Sequence, residues 1–287
     1  MGIPSSQEVL SMSNSSVLDQ LDAGLIAFYT VCLGVIAFIT LPIVTIFAYS
    51  LVGSFDGGVL SSLTLDYYRG AFASNSGPFM MSIQIALLTT LIDVLIGVPA
   101  GYVLVKYDFK FSGILRELTI LPMAIPGIVI GIGVVRVWGT PRLGLDLAAT
   151  TTLIVAVHAL FTMPFIIQTT ISTLESIDYR QLEESARSLG ANWLEMFFYV
   201  IIPNIYSGIL AGAVMVFALS MGEFNITFFI YSPINTTLPI ALFGGFRTAS
   251  VGEASALASL FVGIVLVSIV FLQGLSDTTV RNNGGNI

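Results

Sequence analysis

The chain has 287 residues, 55% hydrophobic and only 9% charged, with a formal net charge of -7. A soluble domain carries about 25% charged residues, so this composition is that of a polytopic membrane protein. With 10 Lys and Arg against 17 Asp and Glu, one His and one Cys, it excludes a nucleic-acid-binding surface, an intrachain disulfide and a His or Cys metal cluster.

Residues 1–22 are rich in Ser and Asn and lack Lys and Arg. They do not make the charged start of a secretory signal peptide and read as a polar tail, with a short interfacial helix over 17–21. Apolar runs long enough to cross a bilayer follow at 25–52, 79–105, 114–138, 148–171, 207–231 and 254–275. The expected fold is an all-α polytopic membrane protein with six transmembrane helices. Its membrane domain covers 23–275, and a polar tail covers 276–287. Residues 53–78 read as a polar loop, 106–110 as a short basic turn and 139–146 as a turn. In the loop 232–253, the apolar stretch 238–246 dips back toward the membrane. Three prolines predict helix breaks, Pro122 and Pro126 in the third span and Pro164 in the fourth. Proline has no N–H to donate and its ring presses on the preceding turn. In lipid such a break persists only where the backbone faces protein or a water-filled cavity.

The stretch 182–203, LEESARSLGANWLEMFFYVIIP, carries several charges between two apolar runs. Glu183 and Glu184 open a helix where negative charge suits the N-terminal dipole. Ser185, Ala186 and Ala191 are small and allow another surface to come close. Gly190 ends the first helix as a left-handed cap, Asn192 caps a second over 193–200, and Pro203 marks the next entry.

Glu184-Ser185-Ala186, three residues, Gly190, nine residues and Val200-Ile201-Ile202-Pro203 form a spaced pattern. It resembles the EAA loop of permease subunits of binding-protein-dependent ABC importers. Ser185, Val200 and Ile202 are mild departures. The resemblance extends over 40–275, through 65–68, 121–131, 161–177, 218–229 and Thr237-Leu238-Pro239. Over that length it is to the second permease of spermidine/putrescine-type systems.

This resemblance implies a type I ABC importer permease fold with a cytoplasmic coupling helix between the fourth and fifth spans, inside the loop 175–203. Glu183, Glu184, Ser185, Ala186, Arg187, Gly190 and Pro203 would meet the ATPase. It implies an ATPase dimer that binds ATP and Mg, a second and different permease chain, an extracytoplasmic binding protein and a lipid bilayer as partners. This chain itself would hold no cofactor. The implied substrate is a polyamine, with ferric iron, thiamine, an aminophosphonate or another anion as the alternative. Two departures bear on that. Gly127 stands where polyamine permeases often carry an acid, and Gly222-Glu223 replaces an acidic pair.

Asp93 and Glu223 are carboxylates inside expected spans. A charged group at mid-bilayer costs about 2.5–3.5 kcal/mol on insertion scales, so each should face a cavity or a partner. Glu223 with Asn225 either lines the translocation pathway near its outer gate or makes polar contacts between helices. Asp93 has the same two readings. His158 reads as a hydrogen bonder between helices. Glu184 is expected to pair with an arginine of the ATPase, whereas Glu175 and Glu195 are expected to be solvated.

Six spans place both termini on one side. Lys106, Lys110, Arg116, Arg180, Arg187 and Arg281 fall on that side, and Arg69, Arg136, Arg142 and Arg247 on the other. The positive-inside rule then puts both termini and the coupling loop in the cytoplasm of a multi-pass cell-membrane protein. No GxxxxGK[ST] run occurs, so the chain has no P-loop and is expected to be non-catalytic. HExxH and GxSxG are absent too, which leaves an intramembrane enzyme without its inventory. A stand-alone secondary transporter would be built on an inverted repeat, and none is evident.

Overall fold

A computed structural model describes residues 6–52, 63–107, 111–140 and 147–283, with side chains between 24 and 270. The described chain is helical, and its one β-contact is an isolated bridge between Val52 and Leu63. In order the helices are α1 (Ser6–Leu51), α2 (Asp66–Lys106), α3 (Ser112–Ala124), α4 (Gly127–Trp138), α5 (Thr151–Ser176) and α6 (Tyr179–Ser188). Then come α7 (Trp193–Met196), a π-turn at Phe197–Ile201, α8 (Ile202–Asn204), α9 (Tyr206–Gly222), α10 (Thr227–Ile230), α11 (Leu238–Thr248) and α12 (Val251–Asn283).

Four helices are long and apolar enough to cross a membrane, and six spans result if two bent pairs each count as one. The bends are 97° between α3 and α4 and 73° between Trp193–Asn204 and α9. The α3–α4 break has a local cause. Ile125 precedes Pro126, and the proline ring pushes the residue before it out of helical geometry. Ile125 is accordingly extended (φ -91, ψ 126). The other two expected breaks do not occur: α3 continues through Pro122 and α5 continues through Pro164. Pro164 is buried where α5 packs between α2 and α9, and neighbouring helices hold a proline-containing turn in place.

Several boundaries differ from expectation. The backbone from Ser6 is already helical and runs into the first span, and α12 continues to Asn283. The segment read as a loop up to residue 78 contains the start of α2, which kinks at Asn75 (φ -121, ψ 16). Residues 53–62, 108–110 and 141–146, including Lys110 and Arg142, lie outside the described residues. The fifth span ends early, at Gly222, and the loop after it contains α11.

Helices α2, α5 and α9 form the centre. Val98, Tyr102, Ile166, Ile171, Ile201 and Ile205 make one buried cluster near the 175–203 segment, and Ile85, Ile154 and Ile226 anchor a second near the α9–α10 break. Burying such side chains contributes about 1.5–3 kcal/mol each in water; against lipid, close packing takes over that role. The Tyr68 hydroxyl ties three helices, meeting Ser50 of α1 at 2.7 Å and Ser259 of α12 at 2.8 Å. Ser82 of α2 accepts the Leu238 N–H at 2.8 Å and so seats α11.

Candidate functional site

The 175–203 segment folds from its own local signals. The helix opens before the expected Glu183 and Glu184, which lie in its middle: the Asp178 carboxylate accepts the Gln181 N–H at 3.2 Å and caps α6. At the other end Gly190 takes φ +87, a conformation that favours glycine. The Gly190 N–H donates to Arg187 O at 2.9 Å and the Ala191 N–H to Ala186 O at 3.1 Å. That pair of bonds is a Schellman motif, which satisfies the last carbonyls of α6. Asn192 then opens α7 through a capping box with Glu195, at 3.0 Å and 2.8 Å. Glu195, expected to be solvated, thus works as a cap. Pro203 has no N–H for the turn before it, and the wider π-turn Phe197–Ile201 stands there.

The motif residues divide between two faces of α6. Ala186 and Glu183, three apart, point inward and are buried. Gln181, Glu184, Ser185, Arg187, Ser188 and Leu189 are exposed, and Leu189 is 89% exposed. A large apolar side chain held on a tight, capped tip, with small Ser185 and Gly190 beside it, suits close approach by another protein. Glu183 faces the other way. It meets Lys106 and Tyr102 of α2, with Lys106 Nζ at 2.9 Å from Oε2. Glu175, expected to be solvated, pairs with Arg116 of α3 at 2.9 Å. The sequence reading missed Tyr102, Lys106 and Arg116 as partners. Of the three, only Lys106 lies in the short basic turn 106–110; the local sequence around Tyr102 and Arg116 carries no signal of these contacts.

The second polar constellation lies at the break after α9. Both oxygens of Glu223 turn back on the chain. Oε1 accepts the Ile226 N–H at 2.8 Å, and Oε2 accepts the Thr227 N–H at 2.9 Å and the Thr227 hydroxyl at 2.7 Å. Since Thr227 gives its one hydroxyl proton to Glu223, its 2.8 Å contact with His158 is donated by Nε2–H. His158 Nδ1 lies 2.9 Å from Ser220 Oγ. His158, Ser220, Glu223 and Thr227 are all buried. A Cβ added at Gly131 would lie 3.1 Å from Ile226 O, so glycine is what lets α4 lie against the break.

Asp93 is fully buried and accepts the Thr162 hydroxyl at 2.6 Å. Its other oxygen has no protein partner. Asn225 is exposed beside the break. The structure therefore brings Glu223 together with His158, places Asn225 next to them on the surface, and leaves Asp93 in a separate contact with α5. No group of three metal-binding side chains occurs among the described residues.

Residues 93–282 match the family described as "Binding-protein-dependent transport system inner membrane component". The chain is 30% identical over 257 residues to the molybdate/tungstate transport system permease protein WtpB of Pyrococcus furiosus, covering 88% of this chain and 93% of that protein. It is 25% identical over 253 residues to the spermidine/putrescine transport system permease protein PotC of Shigella flexneri, covering 88% and 94%. Among solved structures, the fold is similar to a chain of a bacterial ABC transporter involved in the import of the acidic polysaccharide alginate. There the TM-score is 0.67 at 17% identity, covering 92% of this chain and 99% of that one.

Proposed function

The chain belongs to the family of binding-protein-dependent transport system inner membrane components, and on that premise we propose that it forms half of the pathway of an ATP-driven importer and is moved by a separate ATPase. The observation that carries this is the exposed face of α6. Glu184, Ser185 and Leu189 stand outward on a helix whose two ends are fixed by local caps. An ATPase groove fits over that face, and ATP-driven closure of the ATPase dimer displaces α6, rocking the spans between inward-open and outward-open states. A second permease chain completes the pathway and a binding protein on the outer side delivers the solute. Both termini and α6 lie in the cytoplasm in this arrangement. The ATP and Mg belong to the partner.

Within the membrane, the exposed Asn225 is a polar side chain available to line the pathway. Asp93 ties α2 to α5, and Glu223 closes the loop that follows α9. The resemblance to spermidine/putrescine permeases suggests a polyamine. One observation weakens that reading: both oxygens of the intramembrane carboxylate expected at the gate are taken up by three donors from Ile226 and Thr227, so a polycation would have to displace those bonds to pair with it. The likeness to the Pyrococcus molybdate/tungstate permease favours a small oxyanion instead.

The test is to purify the tagged chain gently from its native membrane beside a Glu184→Lys variant and identify what accompanies each. An ATPase and a second permease should come with the native chain, and the variant should lose the ATPase. A native chain that emerges alone and transports in vesicles without ATP would sink the proposal. The copurified binding protein, titrated with molybdate, tungstate and spermidine by calorimetry, decides the solute.

A further inference from the structure

Lys106 sits in the last turn of α2, and its ammonium lies 3.0 Å from Glu183 Oε1 and 2.9 Å from Oε2. Tyr102, one turn earlier, donates its hydroxyl to the same Oε1 and accepts from Lys106 at 2.6 Å. These groups are withdrawn from water. The side chains of Lys106 and Glu183 are 10% and 9% exposed, and Tyr102 is 1% exposed. The Tyr102 ring packs on Phe197 of the π-turn at 5.1 Å, so the triad touches both helical halves of the coupling segment. Arg187 stands at the rim, 3.8 Å from Glu183 and mostly exposed. The Tyr179 hydroxyl donates to Val105 O at 3.3 Å and adds a second tie to the end of α2.

A buried ion pair is a poor way to gain stability. Its desolvation penalty offsets most of its attraction, and a well-packed apolar pair of the same volume is often as good or better. What such a pair does well is fix position. The three groups bond one another in a single geometry, and separating them leaves a charge without a partner. Here it fixes the end of a membrane-crossing helix to α6, the helix proposed to dock on the ATPase.

We propose that Tyr102, Lys106 and Glu183 act as a transmission clamp, so that the coupling helix α6 and the inner end of α2 move as one body. Glu183 is then a positioning residue, reaching neither the ATPase nor the solute, although it neighbours Glu184 in the motif. This inference rests on the reading that α6 docks on an ATPase.

The experiment uses the complex copurified from the native membrane, in a Cys32→Ser background. One spin label is placed at Gln181→Cys on α6, or one at Val103→Cys in the last turn of α2, both at exposed positions. The response to ATP with vanadate is read against the nucleotide-free complex. In the unaltered complex both labels shift. In Glu183→Ala and Lys106→Ala the Gln181 label still shifts, and the Val103 shift falls about threefold or more. The charge exchange Glu183→Lys with Lys106→Glu restores it. Tyr102→Phe keeps the ring on Phe197 and serves where a charge variant fails to assemble; its Val103 shift falls as well. A full Val103 shift in the single variants that assemble, Tyr102→Phe included, overturns the clamp. So does a charge exchange that assembles without recovering the shift. A Gln181 label that is silent in the unaltered complex instead removes the docking reading itself, and the two failures are distinct.

Discussion

The coupling segment and the break after α9 are both short interruptions between apolar helices, and they are held in opposite ways. At α6 and α7 every turn is closed by a neighbour in sequence: Asp178 with Gln181, Gly190 with Arg187, Asn192 with Glu195. At the break, Glu223 caps its own loop, and that loop is locked by His158, which comes from 69 residues away at Thr227 and 62 at Ser220. The difference follows from the surroundings. A segment at the water boundary has solvent for most of its remaining polar groups, Glu183 with its buried partners Lys106 and Tyr102 excepted. A break among apolar helices has no solvent to turn to, so each backbone N–H needs a protein acceptor.

The contrast can be broken most severely at Glu223. Glu223→Ala strands the Ile226 and Thr227 N–H groups and should lower stability by about 2–4 kcal/mol, read as the midpoint of thermal unfolding in detergent. Glu223→Gln keeps one acceptor oxygen and should cost clearly less. An equal loss in both variants would mean that charge, not acceptor count, holds the break. His158→Phe removes the link to Ser220 and Thr227 while keeping a ring of similar size. Its cost should be about 1–2 kcal/mol, since hydrogen bonds between membrane helices are individually modest. A neutral result would leave Glu223 as the whole of the lock.

On the coupling side the effects should be smaller on stability and larger on partnership. Gly190→Val forces a β-branched side chain into positive φ, at a cost of about 1–2 kcal/mol. The α6 tip should distort, and the ATPase should be lost from pull-downs although the chain remains folded. Asn192→Ala removes one side of the capping box and should cost about 1 kcal/mol, visible as faster hydrogen exchange over 193–196. Glu175→Gln is the mildest change. Its pair with Arg116 is roughly half exposed on both sides, and such pairs contribute about 0–1 kcal/mol. A large loss there would show that the α3 tie matters as much as the buried one to α2.

Much of this was legible in the chain. The all-α membrane class followed from composition, and the shape of the coupling segment from Gly190 and Asn192, because caps and turns are closed by residues three or four positions apart. The α3–α4 break was legible at Pro126, where the residue before the proline loses its helical option. The same reasoning overreached at Pro122 and Pro164. A proline costs one hydrogen bond and some crowding, and whether the helix parts there depends on what packs beside it.

Sequence by itself therefore determined which stretches enter the membrane and where the chain between them must turn, since hydropathy and local hydrogen bonding are properties of adjacent residues. Only the tertiary structure decided direction. Glu183 and Glu184 are neighbours in one motif, and successive residues on a helix point about 100° apart. Which of the two faces inward is set by Tyr102 and Lys106, 81 and 77 residues earlier. Likewise the loop that Glu223 closes is locked because His158 of α5 reaches Ser220 of α9 and Thr227 of α10. No spacing along the chain encodes that meeting; it arises when apolar helices pack and most polar groups left among them find a partner.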